Sequence, residues 1–263
     1  MKLIIPEQVC DSHIHIGYFP QLKITFTLND LISLMDKYTI ASALIFPSFF
    51  DVDKQMDNIL NVVQRRKSQL GTHDRKKIYA LLRSTPQTYT SNAFLKRLET
   101  LLESRQVVGM KINSSVERHR ITDGLYRNCL ETLNRYGAIL LLHCGRWVEM
   151  SGWQYGVKTA KKYPKIKVIL AHMGGTHPDL SFPAIEDAKN IPNIYFDTSQ
   201  TRQTVVIKKG IETLGASRIL FASDMPWGDY VQNLVGITQL DLDEETLNKI
   251  LKNNFNKLME NKI

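Results

Sequence analysis

The chain has 263 residues, 43% of them hydrophobic and 23% charged, which predicts an ordinary globular protein with a sizeable core. No apolar run reaches the length of a membrane helix, and no apolar leader follows Met1. The three cysteines are too scattered for a disulfide framework. We therefore expect a cytoplasmic protein. The formal net charge of +8 comes from basic residues spread along the chain, which argues against nucleic acid as a partner and is compatible with a small anionic substrate.

The first predicted strand, residues 9–15, carries two histidines one residue apart. Because alternate side chains of a strand share a face, Asp11, His13 and His15 are predicted on one face and Cys10 on the other. Two neutral imidazole nitrogens directed to one point suggest a metal site. Taken alone, the pair is equally compatible with a surface strand that carries two histidines by chance.

Seven further short runs of β-branched and aliphatic residues follow, and their starts are separated by 25 to 36 residues. This spacing is close to the roughly 30 residues of a βαβ step. Several runs are apolar throughout, as in Ile139-Leu-Leu-Leu142, which is typical of parallel strands covered on both faces. The predicted strands are residues 9–15, 41–46, 77–83, 107–112, 138–143, 167–172, 193–197 and 218–223.

Segments with helical periodicity lie between these strands. The predicted helices include residues 28–38, 56–69, 92–104, 124–136 and 204–214, and a final helix over residues 243–259. Alternating strands and helices predict an α/β fold, a (β/α)8 TIM barrel that forms a single domain over residues 1–263 and ends in a C-terminal helix. An open doubly wound sheet is the alternative, and the sequence contains no Gly-x-Gly-x-x-Gly fingerprint that would support it.

Functional side chains of a parallel barrel lie at the C-terminal ends of its strands. Four of the seven histidines fall there, together with one lysine and one aspartate: His13, His15, Lys111, His143, His172 and Asp224. Neutral nitrogen and carboxylate ligands with an open position suit a metal that activates water. From the residues alone, His13 and His15 with one or both of His143 and His172 could hold the ion, and Asp224 could bind it or accept a proton.

Five short segments place these residues in a characteristic order along the chain: Asp11-Ser-His-Ile-His15, Gly109-Met-Lys-Ile112, Leu142-His-Cys-Gly145, Leu170-Ala-His-Met-Gly-Gly175 and Phe221-Ala-Ser-Asp-Met-Pro226. Their combination resembles the amidohydrolase superfamily of metal-dependent barrels, and most of all its amidohydrolase-2 branch, which includes aminocarboxymuconate semialdehyde decarboxylase.

The resemblance implies a ligand set and a role for the remaining histidine. His13, His15, His143 and Asp224 would bind a divalent metal, usually zinc, with manganese or another divalent ion as the alternative. His172 would act beside the metal-bound water as a proton shuttle or as an electrostatic partner of the transition state.

Four cationic residues could bind the substrate. For Lys111 a bridging carbamate, a substrate anchor and a structural ion pair all stay open. Arg83, Arg146 and Arg202 follow predicted strands three, five and seven, where a guanidinium could bind a substrate carboxylate or phosphate, although each alone is also compatible with a salt bridge on the barrel rim.

The leading functional hypothesis is a metal-dependent hydrolase of a small, anionic amide, ester or lactone. A non-oxidative decarboxylase of the same branch is the close alternative, because both reactions use the same metal site. A catalytically inactive barrel that serves as a binding protein is the alternative from another class, and it predicts gaps in the ligand set. We expect a small-molecule partner rather than nucleic acid or a membrane, and a homo-oligomer stays open.

Overall fold

The structure is a computed structural model that describes residues 8–50, 52–68, 77–145 and 148–260. In that part of the chain one sheet contains nine strands in the order β2-β1-β3-β4-β5-β6-β7-β8-β9. Every neighbouring pair is parallel except β1 and β2. The strands are β1 Val9–Phe19, β2 Ile24–Phe26, β3 Ile40–Pro47, β4 Lys77–Leu82, β5 Gly109–Ile112, β6 Ile139–Leu142, β7 Lys167–Leu170, β8 Ile194–Asp197 and β9 Ile219–Leu220.

Backbone hydrogen bonds between β1 and the chain from β9 onward close the sheet into a barrel. The Ser12 amide donates to the Phe221 carbonyl at 3.0 Å, and the Asp224 amide donates to the His13 carbonyl at 2.9 Å. The His15 amide donates to the carbonyl of Met225 at 2.8 Å. The predicted (β/α)8 barrel is therefore confirmed, with β2 as an additional antiparallel strand that the sequence analysis did not predict.

Helices connect and flank the strands, and each predicted helix has an observed counterpart. They are α1 Leu28–Lys37, α2 Val52–Ser68, α3 Asn92–Glu103, α4 Ser114–Glu117, α5 Arg127–Arg135, α6 Val148–Ser151, α7 Trp153–Lys162, α8 Pro178–Asp187, α9 Thr204–Leu214, α10 Tyr230–Thr238, α11 Glu244–Asn248 and α12 Asn254–Met259. None of the helices in the described ranges combines the length and apolar character that crossing a bilayer requires.

The predicted C-terminal helix is present, but a π-helical segment, Lys249–Asn253, joins α11 to α12. The carbonyl of Ile250 in this segment accepts a hydrogen bond from the Phe221 amide at 3.0 Å. The side-chain amide of Asn254 donates to the carbonyls of Ala216 and Ile219. These contacts attach the end of the chain to β9, which is only two residues long.

Two apolar layers explain why the strands are hydrophobic on both faces. The inner layer fills the barrel and includes Leu44, Phe46, Leu81, Leu141 and Ile169. The outer layer lies between the strands and the helices and includes the side chains of Ile14, Leu82, Met110 and Leu170. Parallel strands buried in this way need no polar face, as the uninterrupted apolar runs predicted.

The predicted alternation along β1 is wrong at its beginning. Cys10 belongs to the inner layer with Phe46, and the rings of His13 and His15 also contact Phe46, so these residues share a face. Between Asp11 and Ile14, β1 advances three residues while β3 advances only two, which is a one-residue bulge. Such a bulge reverses the alternation and redirects the side chains that follow it.

A glycine at the beginning of β5 allows this strand to pack beside β6. A Cβ atom at Gly109 would lie 1.8 Å from the carbonyl oxygen of Ile139, which is backbone and cannot move aside easily. We expect Gly109→Ala to lower the free energy of unfolding by about 1 to 3 kcal/mol, measured by urea denaturation. Gly124→Ala is the matched control, because no atom lies within 4 Å of its added Cβ. Equal midpoints for the two variants would contradict this account.

Candidate metal centre

Three side chains meet where β1 runs beside the chain that follows β9. The His13, His15 and Asp224 side chains each offer one ligand atom, and these atoms lie within 4.8 Å of one another. Oδ1 of Asp224 lies 3.1 Å from Nε2 of His13 and 3.1 Å from Nε2 of His15. All three residues are buried. The structure thus brings together three of the four predicted metal ligands.

The donor chemistry of this cluster fits a divalent cation. Oδ1 of Asp224 is buried and has no hydrogen-bond partner in the described part of the chain, although both imidazoles are close. Burial opposes ionisation of Asp224, but the electrostatic effect of the neighbouring histidines, His13 above all, holds the pKa of its carboxyl well below its usual range. Burial lowers the pKa of His15 to about 3, so its ring is neutral. A carboxylate and neutral imidazoles are the ligand types that zinc and manganese accept.

Asp197 orients His13, and the sequence analysis did not single it out. Its Oδ2 lies 2.9 Å from Nδ1 of His13, so Nδ1 carries the hydrogen of this pair and Nε2 is the nitrogen that faces the cluster. Burial and Lys111 oppose protonation of His13, but the carboxylates of Asp224 and Asp197 raise its pKa. Asp197 is buried, which opposes its charge, yet the charge and hydrogen bond of His13 lower the pKa of its carboxyl to about 2. Asp197 ends predicted strand seven, so the rule that collected the other polar strand ends would also have found it.

His172 and His143 form a hydrogen-bonded pair beside the cluster. Nδ1 of His172 lies 3.2 Å from the Ser199 carbonyl oxygen, which can only accept, so Nδ1 carries the hydrogen. Burial lowers the pKa of His172. Because Nδ1 carries the hydrogen, Nε2 is the nitrogen that can accept, and it lies 3.1 Å from Nδ1 of His143. Burial and His172 hold the pKa of His143 well below its usual range. His143 is therefore in the tautomer that leaves Nε2 free to bind a metal.

The same interactions connect the two halves of the site. The Ser199 hydroxyl accepts from His172 and donates to Oδ1 of Asp197, whose Oδ2 holds His13. Both ring nitrogens of His172 are thus engaged with protein atoms. His143 is not among the three clustered ligands, so its predicted role as a ligand stays a prediction.

Two of these residues depend on an unusual backbone conformation. Asp224 has a φ of 57° and His172 a φ of 58°, both in the left-handed region. Asp and His adopt this region more often than most residues, and such outliers cluster at functional sites. Each residue lies in its own turn, His172 after β7 and Asp224 after β9, and the left-handed conformation changes the direction of the chain there.

The predicted cationic residues have different surroundings. Nζ of Lys111 is buried 3.4 Å from Nε2 of His13, and burial lowers the pKa of the Lys111 amine to about 8. Arg83 is 2% exposed, whereas Arg202 is exposed. Arg146 lies outside the described residues. The structure therefore places Lys111 beside the cluster and leaves the side chain of Arg202 exposed to solvent.

Comparison with known proteins gives a consistent result. A family model described as "Amidohydrolase" matches residues 10–258. A 6-methylsalicylic acid decarboxylase of Penicillium expansum is 23% identical over 186 residues, which are 56% of this chain and 57% of that protein. The chain therefore matches little more than half the length of this curated relative.

Two solved structures share the fold over nearly their full length. A 5-carboxyvanillate decarboxylase of Novosphingobium aromaticivorans, complexed with manganese and 4-hydroxy-3-methoxy-5-nitrobenzoic acid, superposes with a TM-score of 0.76 at 13% identity, covering 96% of each chain. A 2,6-dihydroxybenzoate decarboxylase from Rhizobium has a TM-score of 0.73 at 14% identity and covers 99% of this chain and 100% of its own. At these identities the likeness shows the fold alone.

Asp197 provides a test of the metal centre that leaves its ligands in place. Asp197→Asn keeps the shape of the side chain but removes the charge that fixes the His13 tautomer. We expect this variant to bind Mn²⁺ about 10- to 100-fold more weakly in calorimetric titrations. Asp57→Asn is the control, since Asp57 is 63% exposed on α2. Unchanged Mn²⁺ affinity in Asp197→Asn would count against the assigned role.

Proposed function

This chain belongs to the amidohydrolase family, a family of enzymes, and from that premise we propose that it is a metal-dependent, non-oxidative decarboxylase of a small hydroxylated aromatic acid. The observation that carries the proposal is the buried cluster of His13, His15 and Asp224, with His143 and Lys111 beside it. The relatives described above are named as decarboxylases, which favours this reaction over the hydrolase hypothesis.

We propose that His13, His15 and Asp224 hold one divalent ion, with His143 as a fourth ligand. The ion would supply a Lewis acid that fixes the substrate carboxylate and an adjacent oxygen. Manganese is supported by the ion in the 5-carboxyvanillate decarboxylase, and the nitrogen and oxygen ligand set is equally compatible with zinc. The charge of Lys111 beside His13 would draw an anionic substrate towards the same place.

The reaction breaks the bond between the ring carbon and the carboxylate carbon. Carbon dioxide leaves, and the electron pair that stays on the ring carbon takes up a proton. Because the pKa of Asp224 is held low, the resting carboxyl is ionised. Asp224 would therefore first accept a proton and then donate it to the ring carbon. The hydroxyl group next to the substrate carboxylate would supply this proton to Asp224, and solvent would return a proton to that oxygen of the product. Overall, one proton from solvent replaces the carbon dioxide that leaves.

His172 is better placed to position His143 than to protonate the substrate, since both of its ring nitrogens are engaged. The hydrogen bond from Nδ1 of His143 to His172 would fix the ring and keep Nε2 directed outward as a metal ligand. In this role His172 acts through His143, and its effect should appear in metal affinity as well as in turnover.

The hydrolase hypothesis uses the same residues with a different first step. Asp224 would take a proton from the attacking water and deliver it to the leaving group. A catalytically inactive barrel would be expected to lack part of the ligand set, whereas His13, His15 and Asp224 are all in place. Product analysis therefore separates the two enzymatic reactions.

Carbon dioxide release is the direct test of the proposed reaction. The Mn²⁺-loaded protein is expected to release it from 2-hydroxybenzoates, and His15→Ala should lose both the metal and at least about 100-fold in kcat/KM. His177→Ala is the matched control, because His177 is 61% exposed and pairs with Asp179. Hydrolysis of a lactone or amide by the same protein, without carbon dioxide release from any hydroxybenzoate, would overturn the proposal.

Two substitutions of His172 distinguish a positioning role from proton donation. The side-chain oxygen of His172→Gln can replace Nε2 as the acceptor for His143, so this variant should keep Mn²⁺ affinity and most of its turnover. His172→Ala should bind Mn²⁺ about 10- to 100-fold more weakly. A proton donor would instead make both variants lose about 100-fold or more in kcat with metal affinity unchanged. Circular dichroism checks that both variants fold.

A further inference from the structure

Arg83 is a buried guanidinium with most of its hydrogen-bonding capacity unused. The residue directly follows β4 and is 2% exposed. Its Nη1 donates to the Pro47 carbonyl at 3.3 Å. Nε and Nη2 are buried, and neither has a hydrogen-bond partner among the described residues. Burying a charged donor without a partner costs free energy, so folding alone does not account for this arrangement.

The side chain of Arg83 is directed into the barrel, next to Lys111. Leu81 belongs to the inner layer and Leu82 to the outer layer, so alternation directs Arg83 inward. Leu82 pairs with Met110, and the next positions on the two strands place Arg83 beside Lys111. Adjacent strands are about 4.8 Å apart. Because the Lys111 amine lies 3.4 Å from Nε2 of His13, Arg83 belongs to the wall of the candidate metal centre.

The nearby buried acid does not use the free edge of Arg83. The two carboxylate oxygens of Glu117 accept hydrogen bonds from the Asn113 amide at 3.0 Å and from the Tyr126 hydroxyl at 2.8 Å. Burial raises the pKa of Glu117 and the nearby charge of Arg83 lowers it, so the two groups are close, yet the hydrogen bonds of the Glu117 carboxylate go to Asn113 and Tyr126. The ring of Phe49 lies 5.3 Å from the guanidinium carbon and covers one face of the group. Phe49 thus covers one face of the guanidinium and Nη1 is bonded to Pro47, whereas the edge formed by Nε and Nη2 has no hydrogen-bond partner among the described residues.

The edge of Arg83 formed by Nε and Nη2 is suited to binding a carboxylate. Nε and Nη2 are the two donors on one side of a guanidinium, and their N–H bonds are parallel. This pair matches the two oxygens of a carboxylate in a bidentate interaction, which neither lysine nor a single donor can reproduce. A single water oxygen could accept from both donors but would leave the charge of Arg83 without a counter-ion, whereas a carboxylate offers one oxygen to each donor and also neutralises the charge.

We propose that Arg83 binds a second carboxylate of the substrate, so that this enzyme acts on dicarboxylic aromatic acids in preference to monocarboxylic ones. One carboxylate would be lost at the metal centre, and the other would stay bound to Nε and Nη2 of Arg83. The inference rests on the proposed decarboxylase function for the fate of the first carboxylate only. The binding site for the second carboxylate does not depend on which reaction follows.

Binding of unreactive acids tests this site without any turnover. Benzoate, isophthalate and terephthalate lack the hydroxyl group that the proposed reaction needs, so their affinities for the Mn²⁺-loaded protein can be measured by calorimetry. We expect at least one of the two dicarboxylates to bind about 10-fold or more tightly than benzoate. Arg83→Gln should abolish this preference and change the affinity for benzoate by less than about threefold. Arg83→Lys should keep only part of it, because lysine lacks the paired donors.

Arg202→Gln is the matched control, because Arg202 follows β8 but is exposed. This variant should keep the full preference for the dicarboxylate. Urea denaturation of Arg83→Met gives a second measurement: a side chain with unused donors should be replaceable without lowering the unfolding midpoint. A clear drop in that midpoint would indicate a structural role and count against the proposal.

The outcomes separate the two proposals. If the wild-type protein binds neither dicarboxylate more tightly than benzoate, or if Arg83→Gln keeps the preference, the second carboxylate site is overturned, whatever the reaction. If the preference depends on Arg83 but no hydroxylated dicarboxylate releases carbon dioxide, the site stands and the decarboxylase proposal fails.

Discussion

The hydrogen bonds that join β1 to the chain after β9 are the interaction on which the candidate site depends. They place His13 beside Asp224, although 211 positions separate these residues in the sequence. The carboxylate of Asp11 strengthens the same seam, because its Oδ1 accepts from the amides of His13 and Ser223. Since β9 is only two residues long, these contacts and those from the π-helical segment hold the turn that carries Asp224 in place.

The site concentrates charge on side chains that are largely buried. Asp197, Asp224, Lys111 and Arg83 are all buried. Isolated charges of this kind cost several kcal/mol each, and only close partners compensate for that cost. Asp197 and Asp224 have histidines as partners, whereas Arg83 has an unused edge. A barrel already stabilised by two apolar layers can tolerate such a group, and this is where ligand binding would be expected to complete the set of interactions.

The fold and most of the site followed from simple patterns. The period of about 30 residues predicted the barrel, because each βα unit must bury a strand on both faces. Collecting polar residues at strand ends identified His13, His15 and Asp224, because parallel strands present those ends at one edge. Asp197 also stands at the end of a predicted strand, so the same pattern includes it. The bulge in β1 could not have been read from composition, since nothing in the run from Cys10 to His13 marks an extra residue.

Residue types and their periodicity along the chain are enough to predict the fold class, the end of the barrel where the candidate site lies and the kinds of side chain that form it. The folded chain is needed to show which nitrogens face the cluster, how His172 and His143 contact each other, and which edge of Arg83 lacks a partner among the described residues. These properties depend on the directions of side chains from strands that are distant in sequence. They are fixed by the hydrogen bonds between β1 and the chain after β9, by the bulge in β1, and by the positive φ of His172 and Asp224. The spacing of residues along the sequence predicts none of these features.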